Sequence, residues 1–271
     1  MATPQVDWPA AQAAVASASG RLATLLRSVQ HPEAPALGRW NLTEVAVHLS
    51  HTLDATVAMA SGAGVGLSDL WDLSTLNQML VTAEGERDLP ALADRIVTTS
   101  TRLVALARAA AEDDLRPWLL PAVELPFSTL TCQALSELIV HGHDIAKAEG
   151  APWPIRRADA SMVLRGYLFP VLGAAGSALV NKEAAAGVKA TYDIHLRGGG
   201  RAMFRFDDGL SVTPGPATPP VDCHLSVDPA TFLLVAWGRM NQAGGIATGK
   251  LFAYGRKPWL GLKLRSLLRN P

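Results

Sequence analysis

Apolar residues recur at spacings of three and four through most of the first 150 residues, which is the pattern of amphipathic helices. The pattern predicts four long helices over residues 8–29, 42–61, 89–112 and 128–149. Several helices that each carry one apolar face bury those faces against one another. The fold class expected for this part of the chain is therefore an all-α four-helix bundle.

The second of these helices has a well-marked start in the sequence WNLTE. Asn41 can cap the helix, and Glu44, three residues on, can return a hydrogen bond to the amide of the cap. The connection that follows, residues 62–88, is longer than the usual link between bundle helices. We expect it to cover one end of the bundle.

The pattern changes after residue 150, where AEGAPWPI breaks the helical spacing before a further helical stretch at residues 158–180. From about residue 189, apolar and polar residues alternate as in strands separated by glycine or proline turns. Helical spacing returns in DPATFLLVAWGRM and PWLGLKLRSLL, which flank the strand-like GKLFAYG. We predict a bundle domain of residues 1–155 and an α+β domain of residues 156–271 with a small antiparallel sheet.

Charge and hydropathy narrow the classes of function. Among 271 residues, 24 Lys and Arg balance 24 Asp and Glu, so no basic surplus attracts a phosphate backbone or an anionic membrane. The chain has no signal-peptide pattern at its start and no apolar run approaching the ~18 residues of a membrane span. We expect a cytoplasmic protein without nucleic-acid or membrane partners, and the sequence does not predict its oligomeric state.

The two cysteines, Cys132 and Cys223, lie far apart and outside any CxxC motif. This arrangement indicates neither a disulfide framework nor a thiolate zinc site. Both residues are expected to be packed, inert thiols.

A glutamate and a histidine interrupt the apolar stripe of the fourth helix. Its seam consists of Ala134, Leu138, His141, Ile145 and Ala148. Glu137 lies beside this seam, where an ionised carboxylate is costly unless a cation meets it. Glu137 and His141 are four residues apart and can chelate one ion. Asp144 can orient His141 from behind, or it can be an ordinary helix-surface carboxylate.

A third ligand can come from the second helix. His48 lies among Val45, Leu49 and Thr52 on the face expected to point into the bundle. Two histidines and a carboxylate leave an open coordination position, as in catalytic zinc sites. Two alternatives remain open: His48 can be a hydrogen-bonded core histidine, and His51, on a more exposed face, can be the ligand instead.

These residues resemble the mycothiol-dependent maleylpyruvate isomerase family, whose first domain is a DinB-like bundle. The family pattern is a tryptophan before a helix ending in His-Leu, then Glu-x-x-x-His-x-x-Asp on the last bundle helix. RWNLTEVAVHLSH and ALSELIVHGHDIAKAEG match it at Trp40, His48, Glu137, His141 and Asp144. The resemblance implies that His48, Glu137 and His141 hold a divalent metal, usually zinc.

The second half is similar to the sterol-carrier-like domain that follows the bundle in these enzymes. The segments that carry this resemblance are GRAMFRFDDGLSVTPG, DCHLSVDPATFLLVAWGRMN and ATGKLFAYGRKPWLGLKLRSLL. The family's Gly-Arg after an apolar helix matches Gly238 and Arg239, which implies that Arg239 faces the active site. A guanidinium group there would bind a substrate carboxylate in a bidentate fork. Arg239 can also be a surface arginine at a helix end, and Arg201 and Arg205 are rival anion binders.

The resemblance implies an enzyme that uses mycothiol, a small thiol, as its nucleophile. Such an enzyme isomerises maleylpyruvate or transfers the thiol to another small electrophile. A borrowed thiol also agrees with the lack of a well-placed cysteine. Two other classes remain: a carrier of lipids or other hydrophobic ligands, and a metal-dependent hydrolase. A carrier would leave Glu137 without a reason, and no GxSxG motif or phosphate-binding glycine loop occurs.

Overall fold

The computed structural model describes residues 6–121 and 123–269, without the side chain of residue 177. The chain divides into two compact units, one of residues 6–155 and one that begins at residue 156. None of the helices in the described ranges is both long and apolar enough to cross a lipid bilayer.

The N-terminal unit is built on four long helices that pack side by side. They are α1 (Trp8–Ser28), α2 (Leu42–Ala60), α4 (Leu89–Ala109) and α5 (Phe127–Glu149), with a shorter α3 (Asp72–Ala83) between α2 and α4. Helices α1 and α2 each contact both α4 and α5. The core between them includes the fully buried side chains of Leu22, Leu49, Leu92 and Leu138. The predicted all-α bundle is confirmed.

The ends of α2 and α5 follow directly from their sequences. The Asn41 side chain accepts a hydrogen bond from the Glu44 amide at 2.9 Å, and the Glu44 carboxylate accepts one from the Asn41 amide at 2.9 Å. This reciprocal pair satisfies amides that the first turn of a helix leaves open. Helix α5 ends at Gly150, whose φ of 71° is the left-handed conformation that glycine adopts without strain.

Three features of this unit differ from the sequence-based expectation. The connection of residues 62–88 contains helix α3, which the apolar spacing did not predict. Two short hairpins are also present: β1 (Pro35–Leu37) pairs with β2 (Trp40–Asn41), and β3 (Leu115–Pro117) pairs with β4 (Glu124–Pro126). The first hairpin places Trp40 immediately before α2.

The C-terminal unit contains a five-stranded sheet. Its strands are β5 (Ala190–Leu196), β6 (Gly200–Phe206), β7 (Leu210–Pro214), β8 (Cys223–Val227) and β9 (Leu251–Tyr254), in the order β7-β6-β5-β8-β9. The predicted α+β class is confirmed. The sheet is antiparallel as expected except between β5 and β8, which are parallel.

Helices pack against this sheet. The predicted helix of residues 158–180 is divided into α6 (Arg157–Val163), a π-helical turn and α7 (Phe169–Leu179). The rings of Phe169 and Phe204 meet edge to face at 5.1 Å. The remaining helices are α8 (Lys182–Ala185), α9 (Pro229–Ala236), α10 (Gln242–Ala247) and α11 (Leu260–Lys263).

Candidate metal site

Helices α2 and α5 bring His48, Glu137 and His141 together. One potential ligand atom from each residue lies within 4.8 Å of the other two. The two imidazole rings meet edge to face, with their centroids 5.0 Å apart and their planes at 85°. Among the described residues, this is the group of three or more His, Cys, Asp or Glu side chains whose spacing suits a metal ion.

His141 lies between two carboxylates. Its Nε2 atom is 3.2 Å from Glu137 Oε2, and its Nδ1 atom is 3.0 Å from Asp144 Oδ2. Burial by itself lowers the pKa of His141, but the hydrogen bonds to Asp144 and Glu137 and their charges outweigh burial and raise the pKa to about 9. The cluster therefore attracts positive charge, and a divalent cation would meet the same carboxylates in place of the proton.

The chemistry of this group fits a zinc-like cation. Two imidazoles and a carboxylate are three ligand groups typical of catalytic zinc sites. The Asp144 carboxylate is within hydrogen-bond distance of Nδ1 of His141. The other ring nitrogen, Nε2, lies on the side of Glu137 and is the one that would bind a metal ion. His48 and His141 are each 7% exposed, so most bulk water is kept from the ligand atoms.

A tryptophan lies against one side of the site and is hydrogen-bonded to a glutamine. The Trp40 indole lies against the His48 ring, with centroids 4.9 Å apart and planes at 36°. Its Nε1 atom donates a hydrogen bond to Gln78 Oε1 on α3 at 2.8 Å. Sequence reasoning missed Gln78, because a single polar residue on a mostly exposed helix gives no signal in the apolar pattern.

His51, the other candidate ligand on α2, belongs to a different cluster. Its Nε2 atom is 3.2 Å from Glu84, which also accepts a hydrogen bond from Arg95 at 2.8 Å. Burial and the charge of Arg95 lower the pKa of His51, although Glu84 and Asp54 oppose them. The structure does not bring His51 into the group of three ligand atoms.

Arg239 lies in the C-terminal unit, just after α9. Gly238 has a φ of 71° and turns the chain there. The guanidinium of Arg239 is half-buried and donates a hydrogen bond to the carbonyl of Trp237 at 2.7 Å. Its contact with a substrate stays a prediction.

The two rival anion-binding arginines both have carboxylate partners within the C-terminal unit. Arg201 donates from Nε to Asp193 at 3.2 Å, and Arg205 lies 3.2 Å from Asp207. A substrate anion would have to compete with these carboxylates, which makes Arg201 and Arg205 weaker candidates.

Neither cysteine can serve as a nucleophile in this structure. Both thiols are buried, and burial raises the pKa of Cys132 to about 12 and that of Cys223 to about 11. Both remain protonated at neutral pH. A sulfur nucleophile would have to come from outside the chain.

Solved structures show the same architecture over nearly the whole chain. A mycothiol-dependent maleylpyruvate isomerase is 14% identical, with 95% of this chain and 99% of that chain covered and a TM-score of 0.54. The chain has the maleylpyruvate isomerase fold. A histidine-to-alanine mutant of such an isomerase is also 14% identical, with the same 95% and 99% coverage and a TM-score of 0.53.

The C-terminal unit has a match of its own. Residues 172–269 match the SCP-2 sterol transfer family, which confirms the predicted sterol-carrier-like domain. The match includes the whole five-stranded sheet. A search of curated protein sequences finds no significant match.

Proposed function

We propose that the chain is a metal-dependent enzyme that uses a small thiol, mycothiol, as the nucleophile toward a small electrophile. The observation that carries the proposal is the convergence of His48, Glu137 and His141 within 4.8 Å. It is supported by a fold shared over 95% of the chain with a mycothiol-dependent maleylpyruvate isomerase. The reaction is isomerisation of maleylpyruvate or transfer of the thiol to a related electrophile.

The three side chains would hold a divalent ion, and Zn²⁺ suits them best. With three protein ligands, the ion would accept a thiol sulfur and favour its thiolate form at neutral pH. Asp144 accepts a hydrogen bond from the Nδ1–H group of His141, and this bond keeps Nε2 of His141 turned toward Glu137. Trp40 packs on His48 and limits the access of water to that ligand.

The thiol is borrowed because Cys132 and Cys223 are buried and protonated. In the isomerisation, the thiolate adds to the activated double bond of maleylpyruvate, and the bond that is now single rotates. Elimination then releases the thiol and leaves fumarylpyruvate. Arg239 is our candidate for binding a substrate carboxylate, because its guanidinium can pair with both oxygens.

A carrier of hydrophobic ligands is the second candidate function. The match of residues 172–269 to the SCP-2 sterol transfer family favours it. A carrier gives no reason for the row of Glu137, His141 and Asp144 in the N-terminal unit, where a buried histidine lies between two carboxylates. The enzyme accounts for both units of the chain.

Metal analysis tests the proposal directly. We expect about one Zn²⁺ per chain in the purified parent, by the stoichiometry of a single three-ligand site. His48→Ala, Glu137→Ala and His141→Ala should each lose most of the metal. His51→Ala, which changes a histidine one turn along α2, is the matched control and should keep it. Full metal occupancy in any of the three variants would show that its residue is not a ligand.

Activity assays on the metal-loaded parent separate the remaining functions. Conversion of maleylpyruvate should require both the metal and added mycothiol. A parent without stoichiometric metal would favour the carrier. Turnover that needs the metal but no thiol would rule out the borrowed nucleophile.

A further inference from the structure

Helix α3 lies beside the candidate metal site although it buries little of its own surface. Among its residues, only Val81 is buried, and the neighbouring Met79 is 62% exposed. Gln78 links the helix to the site through its side-chain amide. Its Oε1 atom accepts a hydrogen bond from Trp40 Nε1 at 2.8 Å, and its Nε2 atom donates one to Thr82 at 3.0 Å.

A hydrogen bond to the indole N–H favours one orientation of the Trp40 ring. The short hairpin pairs Trp40 with Leu37 and fixes its backbone, but the two side-chain torsions of an indole still allow several rotamers. A half-buried indole N–H is stabilised by an acceptor, and the Gln78 carbonyl supplies it. The rotamer that reaches Gln78 also places the ring against His48.

His48 and His141 are thus oriented by different means. On α5, the Asp144 carboxylate engages a ring nitrogen of His141 directly at 3.0 Å. On α2, the Thr52 hydroxyl lies 3.5 Å from Nε2 of His48, and the face of the ring packs against an indole that is itself hydrogen-bonded to Gln78. Loss of the Gln78 acceptor would free the indole and widen the range of His48 orientations.

We propose that Gln78 is a positioning residue of the metal site, which acts on His48 through the Trp40 indole. The inference rests on the proposed function for the presence of the ion, whereas the link from Gln78 to Trp40 can be tested in metal-free protein. The proposal also gives the connection of residues 62–88 a role, because this segment contains Gln78 and so helps to orient a metal ligand.

Metal affinity is the first measurement, by competition with a chromophoric chelator for Zn²⁺. Gln78→Leu should weaken binding roughly tenfold, at the lower end of the range for groups that orient metal ligands. Gln78→Glu keeps an acceptor oxygen for the indole N–H and should bind at least as tightly as the parent. Met79→Ala, an exposed change on the same helix, is the control and should match the parent.

A double-mutant cycle tests whether the effect passes through the indole. Trp40→Phe keeps an aromatic ring but removes the N–H donor, so Gln78→Leu should cause no further loss of affinity in that background. In metal-free protein, the indole N–H resonance of Trp40, assigned by its absence in Trp40→Phe, should shift in Gln78→Leu. That proton should also exchange faster with solvent.

Parental zinc affinity together with an unchanged Trp40 resonance in Gln78→Leu would overturn the inference. So would a Gln78→Glu variant that binds as weakly as Gln78→Leu, because the acceptor oxygen would then be irrelevant. Circular dichroism checks folding, and Gln78→Ala replaces the leucine variant if that one does not fold. A parent that binds no metal overturns the proposed function. In that case the Trp40 indole resonance is the measurement that tests whether Gln78 orients Trp40.

Discussion

Gly142 follows His141 on α5, and its missing side chain makes room for the indole of Trp153. A Cβ atom on Gly142 would lie only 2.2 Å from Cζ2 of Trp153. The ring is held in place because its N–H donates to the carbonyl of Ile139 at 2.9 Å and the Arg21 guanidinium lies over it at 4.4 Å. The residue next to a candidate ligand is therefore fixed by packing.

We predict that Gly142→Ala lowers the free energy of unfolding by about 1–2 kcal/mol. Overpacking costs about 1–3 kcal/mol, and a contact of 2.2 Å with a fixed ring belongs to the upper part of that range, so the cost exceeds the ~1 kcal/mol that alanine adds to a helix. The matched control is Gly20→Ala on α1, where a Cβ would meet nothing within 4 Å and the variant should be slightly more stable. Urea unfolding measures both, and equal stabilities for the two variants would contradict the prediction.

Elements that bury a face of their own could be predicted from the sequence. The spacing of apolar residues predicts both ends of α1, α2, α4 and α5 with an error of no more than three residues. Each of these helices packs a continuous apolar stripe into the bundle. Helix α3 could not be predicted, because it buries only Val81 and is placed by polar contacts such as that of Gln78. The parallel pairing of β5 with β8 was also missed, since alternation is the same in parallel and antiparallel strands.

The residues of the candidate site also fall into those that the sequence predicts and those that it does not. Glu137 and His141 stand out in the sequence because they interrupt an apolar seam, and their spacing of four places them on one helical face. His48 needed the family resemblance to distinguish it from a core histidine. Gln78 depends on a contact between segments 38 residues apart, for which one sequence gives no signal.

Asp222 joins three segments of the C-terminal unit just before β8. Its carboxylate accepts a hydrogen bond from the Thr191 amide at 3.1 Å and pairs with Arg256 and with Lys257, the latter at 3.1 Å. Burial raises the pKa of Asp222, but the hydrogen bonds from Arg256, Thr191 and Lys257 outweigh burial and lower it to about 2. The ionised carboxylate therefore stabilises the fold.

The lowered pKa predicts a pH-dependent effect of Asp222→Asn. Because the folded pKa lies below the ordinary value of 3.8, the stabilisation is complete well above pH 4 and is lost as the pH falls toward 2. At pH 7 we expect a loss of about 1 kcal/mol, since the cationic partners are partly exposed and screened. Urea unfolding at pH 3 should show roughly half of that difference, because pH 3 lies between the folded and the ordinary pKa. A difference that does not change between the two pH values would contradict the assignment.

At the scale of the whole molecule, the candidate chemistry is divided between the two units. All three candidate metal ligands lie within residues 6–155, together with Trp40 and Gln78. The SCP-2 match and Arg239 lie in the other unit. If the proposed function is correct, metal binding belongs to one unit, whereas turnover needs both, because Arg239 is proposed to bind the substrate.

This division predicts how the separated units behave. Residues 1–155 expressed alone should fold as a helical bundle and bind Zn²⁺ with the affinity of the whole chain, because their ligand group is complete. Residues 156–271 should fold without binding metal, and neither piece should convert maleylpyruvate in the presence of mycothiol. Circular dichroism, chelator competition and a product assay measure the three properties. A folded bundle that binds no Zn²⁺, when the whole chain does bind it, would show that His48, Glu137 and His141 are not a sufficient set of ligands.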